Sequence, residues 1–576
     1  MKRNAYNIRK AFKRYLFATI LSNVAFTLGI VVDGIIVGNF LGPNALSSIN
    51  LTNPLVQLYT SLFLLVNVGG SILAAMAIGK RKLEEANNIF SYSIVLNAFL
   101  GILISILGIF FSHQIASFFC SDTQLTDSVY EYMKVVLWTA PVYFFLPGIA
   151  TFVSTDNNPA LASLGLIIAN IINLLLDLVF IKGLGLGLMG SSLATSIGYF
   201  VGIMVVLTHF RKGKGMLKWS FNPDFSRLKG ILIMGFPLFL TSICVMVQLF
   251  CVNYIVLDSL GVTGMSILAV CMNILMVSTM FINGSTEAMQ PVAGILYGAE
   301  DYKGVKMAIY TALKFLIISL VGFTILVEII PSVMAHMFGL NDPSVLNEFN
   351  RAFRLFVLCI PLYGVNYLMM AIYQLTKRNI YATIIPIAQM FCILGTMLLF
   401  VFTSNTDMLW FAFFTGESVV IILILIISFF TRRKHKGLTP LILIQDNPQD
   451  AVLLDFSVDN KESSMNEANS KIVEFVRNQN LKSGTGNFIC LCFEELIQNI
   501  FHHAFTDNKK HFIDVNLRVY SDKVILSIKD DGLIFDPFSY DKKTGIGLMI
   551  VKGSCKDVNY ARIMNQNVAT LIFPLR

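Results

Sequence analysis

Charge is what this sequence has least of. Only 14% of its 576 residues are Asp, Glu, Lys or Arg, against about 25% in water-soluble proteins. A chain of this length would otherwise divide into three or four soluble domains, and the shortage of charge excludes that for most of it. Disorder is excluded too, because 55% of the residues are hydrophobic and there is ample apolar surface to bury. Nine cysteines are scattered without paired spacing, so no disulfide scaffold is present, and free thiols suit a reducing cytoplasm and lipid. No GxxxxGK[ST] phosphate loop occurs, which disfavours an ATP-driven pump of that type. With a mean hydropathy of +0.69, what remains is a polytopic membrane protein.

The little charge there is divides unevenly. Residues 1–436 hold 28 Lys+Arg and 18 Asp+Glu, roughly 11% charged, while residues 437–576 hold 15 and 17, roughly 23%. The first part reads as bilayer-embedded and the second as an ordinary soluble domain. The net charge of +8 sits mostly in loops between apolar runs. It is a topology signal and not a nucleic-acid one.

A bilayer-crossing helix needs about 20 mostly apolar residues. Twelve segments qualify, near 15–39, 51–79, 89–112, 131–154, 161–182, 190–210, 230–257, 266–292, 307–331, 352–375, 382–403 and 407–430. Alternate loops differ sharply in basic charge. One set, from the N-terminal Lys2, Arg3, Arg9, Lys10, Lys13 and Arg14 through to Arg432–Lys436, holds 23 Lys+Arg; the other holds Lys182, Arg351 and Arg354. Cytoplasmic loops keep positive charge. Both termini, and the soluble C-terminal domain, are therefore expected in the cytoplasm.

Four pairs of segments repeat in order. VGNFLGPNAL (37–46) resembles VLDSLGVTGM (256–265), and AIGKRKLEEA (77–86) resembles LYGAEDYKGV (296–305), both at offset 219. VVLWTAPVYFFL (135–146) and VSTDNNPALASL (153–164) have partners at offsets 220 and 221. The expected fold is all-α, two six-helix bundles related by an axis along the membrane normal, as in many transporters. The domains read as a basic cytoplasmic N-terminus (1–14), a first bundle (15–212), a linker (213–229), a second bundle (230–431), a linker (432–449) and the soluble domain (450–576).

An ionisable group inside a bilayer is costly and points to function. Asp33 lies about 9 Å from the outer end of span one, and Asp177 about 8 Å from that of span five, at 1.5 Å per residue. Thr195 in span six falls at a similar depth. Asn173 is one helical turn from Asp177 on the same face. Two nearby carboxylates in a low dielectric need a shared proton or a hard cation, and either links a proton or sodium gradient to movement. The alternative for each aspartate is a side chain that snorkels to water or caps a helix. The second copy has no such pair: Asp33 corresponds to Val252, and Asp177 to the stretch 396–398. Its own acids are Glu287, near the cytoplasmic end of span eight, and Glu417 in span twelve.

The stretches VVDGIIVGNFLGPNALSSINL, NIINLLLDLVFIKGLGLGLMGSSLATSIGYF and NGSTEAMQPVAGILYGAEDYKG resemble bacterial multidrug and toxic compound extrusion (MATE) transporters across about 15–430. The resemblance implies residence in the bacterial cell membrane and efflux of small cationic or amphipathic compounds against inward H⁺ or Na⁺ flow. It also implies that Asp33, Asn173, Asp177 and Thr195 form the cation-coupling site of the branch with an N-lobe centre. The acids that another branch carries in span seven are missing from SICVMVQLF.

Beyond Arg432 the pattern becomes mixed α/β. DVNLRVY and KVILSIKDD alternate like strands, and GNFICLCFEELIQNIFHHAF has apolar residues at helical spacing. Glu495 and Asn499 are four apart on that helix. Asp530 ends a strand before the turn at Gly532. In TGIGLMIVKG, Gly545 and Gly547 open a helix whose N–H groups suit phosphate. Together these describe nucleotide binding within an α/β sandwich.

The set resembles the gyrase/chaperone/histidine-kinase ATPase superfamily over about 450–573, closest in look to serine kinases that act as anti-sigma factors. That implies Glu495 as catalytic base, Asn499 as ligand of ATP-bound Mg²⁺, Asp530 on adenine, and Gly532, Gly545 and Gly547 as nucleotide-binding glycines. A cytoplasmic regulatory protein would be the phosphate acceptor. Ile534 stands where a second glycine is usual, which opens the alternative of a nucleotide-binding fold without turnover. The expected function is thus an antiporter with an ATP-binding regulatory or serine-kinase-like module. The alternatives are a membrane sensor whose tail is a signalling kinase, or a flippase for an endogenous lipid-linked substrate.

Overall fold

A computed structural model describes residues 2–575 except 120–122, 212–214, 221–225, 338–342, 449, 480, 482, 508, 539–550, 552–554 and 556. The chain forms two compact units. One is Arg14–Asp301 with Ala308–Ile444; the other is Gln445–Arg576 with Met1–Lys13 and Tyr302–Met307.

The larger unit is helical. Among the described residues ten helices are long and apolar enough to cross a bilayer, and the pair Thr126–Trp138 and Ala140–Thr155, bent by 51°, makes a further candidate. Pro141 sits in the first turn after that bend; it has no N–H to continue the ladder. The helix Ser226–Gly298 holds spans seven and eight without a loop, and Gly261, at φ 63, marks the break between them. A loop was expected at 258–265; one glycine in the left-handed region turns the chain instead. Each of the twelve apolar segments lies on one of these elements.

The duplication is written in the backbone. Gly42 (φ 85) and Gly261 (φ 63), Arg81 (φ 62) and Glu300 (φ 56), and Gly185 (φ 65) and Ser404 (φ 58) are left-handed pairs at offset 219, and Asn157 (φ 68) pairs with Lys377 (φ 60) at 220. The turn bonds repeat as well: Lys80 N→Met76 O and Lys82 N→Ala77 O recur as Ala299 N→Ile295 O and Asp301 N→Leu296 O. Where the copies meet, a Cβ on Gly79 would lie 2.0 Å from Ile295 O, and one on Gly298 would lie 2.0 Å from Met76 O. Each contact is the image of the other under a two-fold axis. Only glycine allows helices this close.

The smaller unit is a five-stranded antiparallel sheet, β1 (Val452–Asp459), β2 (Phe512–Val519), β3 (Lys523–Asp530), β4 (Asp557–Ile563) and β5 (Gln566–Pro574), in the order β1-β2-β3-β5-β4. Helices Glu462–Asn478 and Ser483–His503 share its core, where Ile472, Phe493 and Ile497 meet Phe456, Val515, Leu517, Leu526 and Leu571, all at most 1% exposed. This α/β layering is what the alternating strands and the helical period of the sequence called for.

The first residues of the chain belong to this unit. Arg3 Nη1 lies 3.1 Å from Asp455 and Nη2 3.3 Å from Asp514, all three side chains nearly free of solvent. The Asn4 N–H donates to Ser457 Oγ at 2.8 Å, and Asn7 Nδ2 donates to Asp514 at 3.0 Å and Phe512 O at 2.8 Å. The Tyr6 ring lies against Phe512. Lys10 Nζ reaches Asp531 at 2.5 Å. Residues 438–444, read from the sequence as part of a linker, are instead tied into the helical unit: Tyr373 donates to Leu441 O at 2.9 Å and Arg378 to Leu443 O at 3.1 Å.

Candidate functional site

Three helices bring the four oxygen-bearing residues of the first bundle together. Tyr6–Leu41 supplies Asp33, Pro159–Asp177 supplies Asn173 and Asp177, and Gly187–Arg211 supplies Thr195. The helical period puts Asn173 and Asp177 on one face, and Asn173 Nδ2 donates to Asp177 Oδ2 at 3.0 Å and to Thr195 Oγ1 at 3.2 Å. The Asp33 and Asp177 carboxyls face each other within hydrogen-bonding reach. Asp33 is half-buried and Asp177 fully buried. Asp177 Oδ1 has no donor among the described residues.

Ser191, which the sequence reading missed, donates to Asp33 Oδ1 at 3.4 Å. It lies one turn before Thr195, whose hydroxyl donates to Ser191 O at 3.2 Å. Buried Tyr132 lies within electrostatic range of both carboxyls. No basic side chain pairs with either aspartate among the described residues. Two acids that meet in apolar surroundings cannot both stay charged at low cost, and a proton or a small hard cation is the chemistry that relieves such a pair.

In the second bundle Glu287 is exposed and accepts from Asn23 Nδ2 at 3.0 Å. Glu417 is buried, 2% exposed, and held by Asn366 and Gln389.

In the smaller unit, Glu495 and Asn499 are both half-buried on helix Ser483–His503. Asn499 Nδ2 donates to Glu495 O at 2.7 Å, which leaves the amide oxygen as a hard donor. No cluster of three His, Cys, Asp or Glu is present among the described residues.

Asp530, at the end of β3, is 3% exposed. Its Oδ1 accepts from Gly532 N at 2.9 Å and Asn567 Nδ2 at 2.8 Å. Oδ2 takes no bond from the described residues. Burial pushes the Asp530 carboxyl up to about 6, against the opposing bonds from Asn567 and Gly532. Gly532 is dictated by packing: a Cβ there would lie 2.5 Å from Ala504 O. Arg562, which carried no motif signal, donates to Gly532 O at 2.9 Å and Asn567 at 2.7 Å, fixing this corner. Beside it, His511 bridges Asp531 at 2.9 Å and Asp507 at 2.6 Å. Burial works against protonating this histidine, but the two carboxylates prevail and its pKa is raised. Gly545 and Gly547 lie outside the described residues.

The MatE family signature matches residues 18–179 and 237–401, more than half of the chain. The chain belongs to the MatE family. The two matched stretches of this MatE chain fall one in each helical repeat. A second signature, the histidine kinase-like ATPase domain, matches 458–573. The MatE chain is 22% identical over 441 residues to the multidrug export protein MepA of Staphylococcus haemolyticus, covering 74% of this chain and 95% of that protein. It is 24% identical over 380 residues to MepA of Staphylococcus aureus strain MRSA252, covering 63% and 81%. Among solved structures, an outward-facing multidrug resistance MATE family transporter of the MOP superfamily superposes with TM-score 0.68 at 22% identity, covering 73% of this chain and 97% of that one. A MATE in the straight conformation superposes equally well at 23% identity, covering 72% and 94%. These likenesses give the MatE fold to the helical unit.

Proposed function

We propose that this MatE protein is a secondary antiporter. It exports small cationic or amphipathic compounds and takes up H⁺ or Na⁺ at the centre formed by Asp33, Asn173, Asp177 and Thr195, with Ser191 as a fifth oxygen. The observation that carries this reading is the facing carboxyl pair, with Asp177 Oδ1 lacking a donor among the described residues. A proton or cation seated there satisfies both acids, and its departure leaves two like charges that must separate or rehydrate. A centre with two such states can bias the bundle between two conformations. The staphylococcal relatives named as multidrug exporters support the cargo class, and the loop charges support a cell-membrane location with both termini in the cytoplasm.

The experiment is uptake of a fluorescent lipophilic cation into inside-out vesicles with proton and sodium gradients imposed separately. One gradient is expected to drive uptake, and Asp33→Asn to abolish it. Full uptake by Asp33→Asn overturns the reading.

The C-terminal domain, in the same reading, binds ATP and regulates the transporter. Asn499 would hold Mg²⁺, which when bound supplies charge neutralisation at the phosphates. Asp530 Oδ2 would accept the amine of the base, and Glu495 would take a proton from an attacking hydroxyl. The regulatory role draws support from the N-terminal residues. Lys10 pairs with Asp531, the residue after the Asp530 that would meet the base. Glu495→Ala is expected to remove phosphotransfer to a serine-bearing partner while ATP still binds. Phosphotransfer at the wild-type rate in that variant overturns the base assignment.

A further inference from the structure

The smaller unit holds a charged cluster that the nucleotide reading does not use. His511 stands immediately before β2 and is buried. Both of its ring nitrogens meet carboxylate oxygens: Nδ1 lies 2.9 Å from Asp531 Oδ1, and Nε2 lies 2.6 Å from Asp507 Oδ1. A neutral imidazole has one N–H and donates to only one of them, while its other nitrogen would aim a lone pair at an anion. The geometry is therefore that of the imidazolium. Two lysines complete the charges around it. Lys10 Nζ holds the other oxygen of Asp531 at 2.5 Å, and Lys509 Nζ lies 3.9 Å from Asp507 Oδ2. The ring is stacked on Phe505, centroids 4.5 Å apart, and the His511 N–H donates to Asn460 Oδ1 at 3.1 Å.

This cluster closes a ring of contacts around the corner that would receive the base. Ala504 O accepts from Leu533 N at 2.9 Å, and Gly532 packs onto the same oxygen so closely that a Cβ would lie 2.5 Å from it. Gly532 N in turn donates to Asp530 Oδ1 at 2.9 Å. The segment from Ala504 to Asp507 is thus tied to the segment from Asp530 to Leu533 twice, once through that carbonyl and once through the His511 ring between Asp507 and Asp531.

We propose that His511 is a proton-operated clamp on the base-recognition corner, closing it when charged and releasing it when neutral. On losing a proton to water the ring keeps one hydrogen bond. The Asp531 side chain is 3% exposed and that of Asp507 is 45% exposed. Leaving the dry carboxylate unpaired costs more than leaving the one that water reaches. Nδ1–H therefore stays on Asp531, and Asp507 is let go. Ala504, the seat of Gly532, then loses its anchor three residues away. The two carboxylates raise the pKa of His511 in the folded protein above 6.5. The clamp thus contributes fully below 6.5 and is lost as pH climbs through the raised value. Asp530 acts in the opposite direction, since its protonation near 6 removes the acceptor for the base. ATP affinity has a plateau, bounded on the acid side by Asp530 and on the alkaline side by His511. This effect on ATP rests on the reading of Asp530 as the base acceptor; the clamp itself does not.

The first test is hydrogen exchange on the full-length protein without nucleotide, at pH values on both sides of the His511 transition and corrected for intrinsic rates. A charge-assisted hydrogen bond at a half-exposed partner is a factor of about ten in a local equilibrium. Protection at Gly532 and Leu533 is expected to fall about tenfold on the alkaline side. The second test is calorimetric titration of Mg²⁺-ATP across the same range. The wild type should lose affinity on the alkaline side. His511→Gln should bind ATP as the alkaline wild type does, without that transition, and keep the acid fall set by Asp530. His511→Lys, which stays charged, should hold the plateau to higher pH. If no ATP binds at any pH, the nucleotide reading fails, and the exchange measurement still decides the clamp. Protection at Gly532 and Leu533 that does not change with pH overturns the proposal. So does an alkaline loss of ATP affinity that persists unchanged in His511→Gln.

Discussion

Arg3→Ala removes a guanidinium from between two carboxylates that have almost no contact with solvent. Asp455 and Asp514 each lie within 3.3 Å of it, at 1% side-chain exposure. Breaking a buried ion pair by deleting one partner costs about 3–5 kcal/mol, because the remaining charge stays buried. Here two charges are stranded, but not alone. Asp514 keeps the Ser457 hydroxyl at 2.6 Å and Asn7 at 3.0 Å, and Asp455 keeps Lys303 at 3.7 Å. Those donors pull the cost toward the lower end, about 3 kcal/mol, or a factor of roughly 150 in the local opening equilibrium. Hydrogen exchange on the full-length protein reads this directly, as protection lost in residues 2–13 and in β1 and β2. Loss confined to those segments, by about two orders of magnitude, is the expected result. A change of less than threefold would mean that the N-terminal residues are not held by this pair.

Lowering the pH through about 6 protonates Asp530. The base amine then loses its acceptor, so ATP affinity measured by titration should fall as the pH drops below that value and level off above it. Gly298→Ala places a methyl group 2.0 Å from Met76 O; overpacking of this kind costs about 1–3 kcal/mol, seen as a lower midpoint of thermal unfolding in detergent. Gly79→Ala, its symmetry mate, should cost a similar amount. Asp177→Asn keeps shape and removes charge, and is expected to abolish gradient-driven uptake while leaving the unfolding midpoint unchanged or raised.

Periodicity exposed what is repeated or stacked along one helix. The offset of 219 residues is visible in VGNFLGPNAL and its partner, and it reappears as left-handed residues because a turn between two spans needs the same backbone in both copies. Asp33, Asp177, Asn173 and Thr195 were legible because depth in a span is simple arithmetic and a charge there is rare. Ser191 was not, since a serine in an apolar helix gives no signal of where its hydroxyl points. Arg3 was hidden for the opposite reason: in a basic N-terminus it counts as loop charge, and nothing local tells that it meets two acids more than 450 residues away. Glu417 could be singled out only as a lone acid. Its partners Asn366 and Gln389 come from two other spans, and amides inside spans are too common to mark a centre before the helices are assembled.

The central claim is that the acidic pair of the first bundle trades an ion for cargo. It is tested most directly in sealed proteoliposomes with no ion gradient, where a gradient of lipophilic cation is imposed and internal pH and sodium dyes are followed. The account predicts that one of the two ions moves opposite to the cation, and that Asp33→Asn and Asp177→Asn each silence that movement. Cation transport with neither ion moving, or ion movement that survives both substitutions, would contradict it.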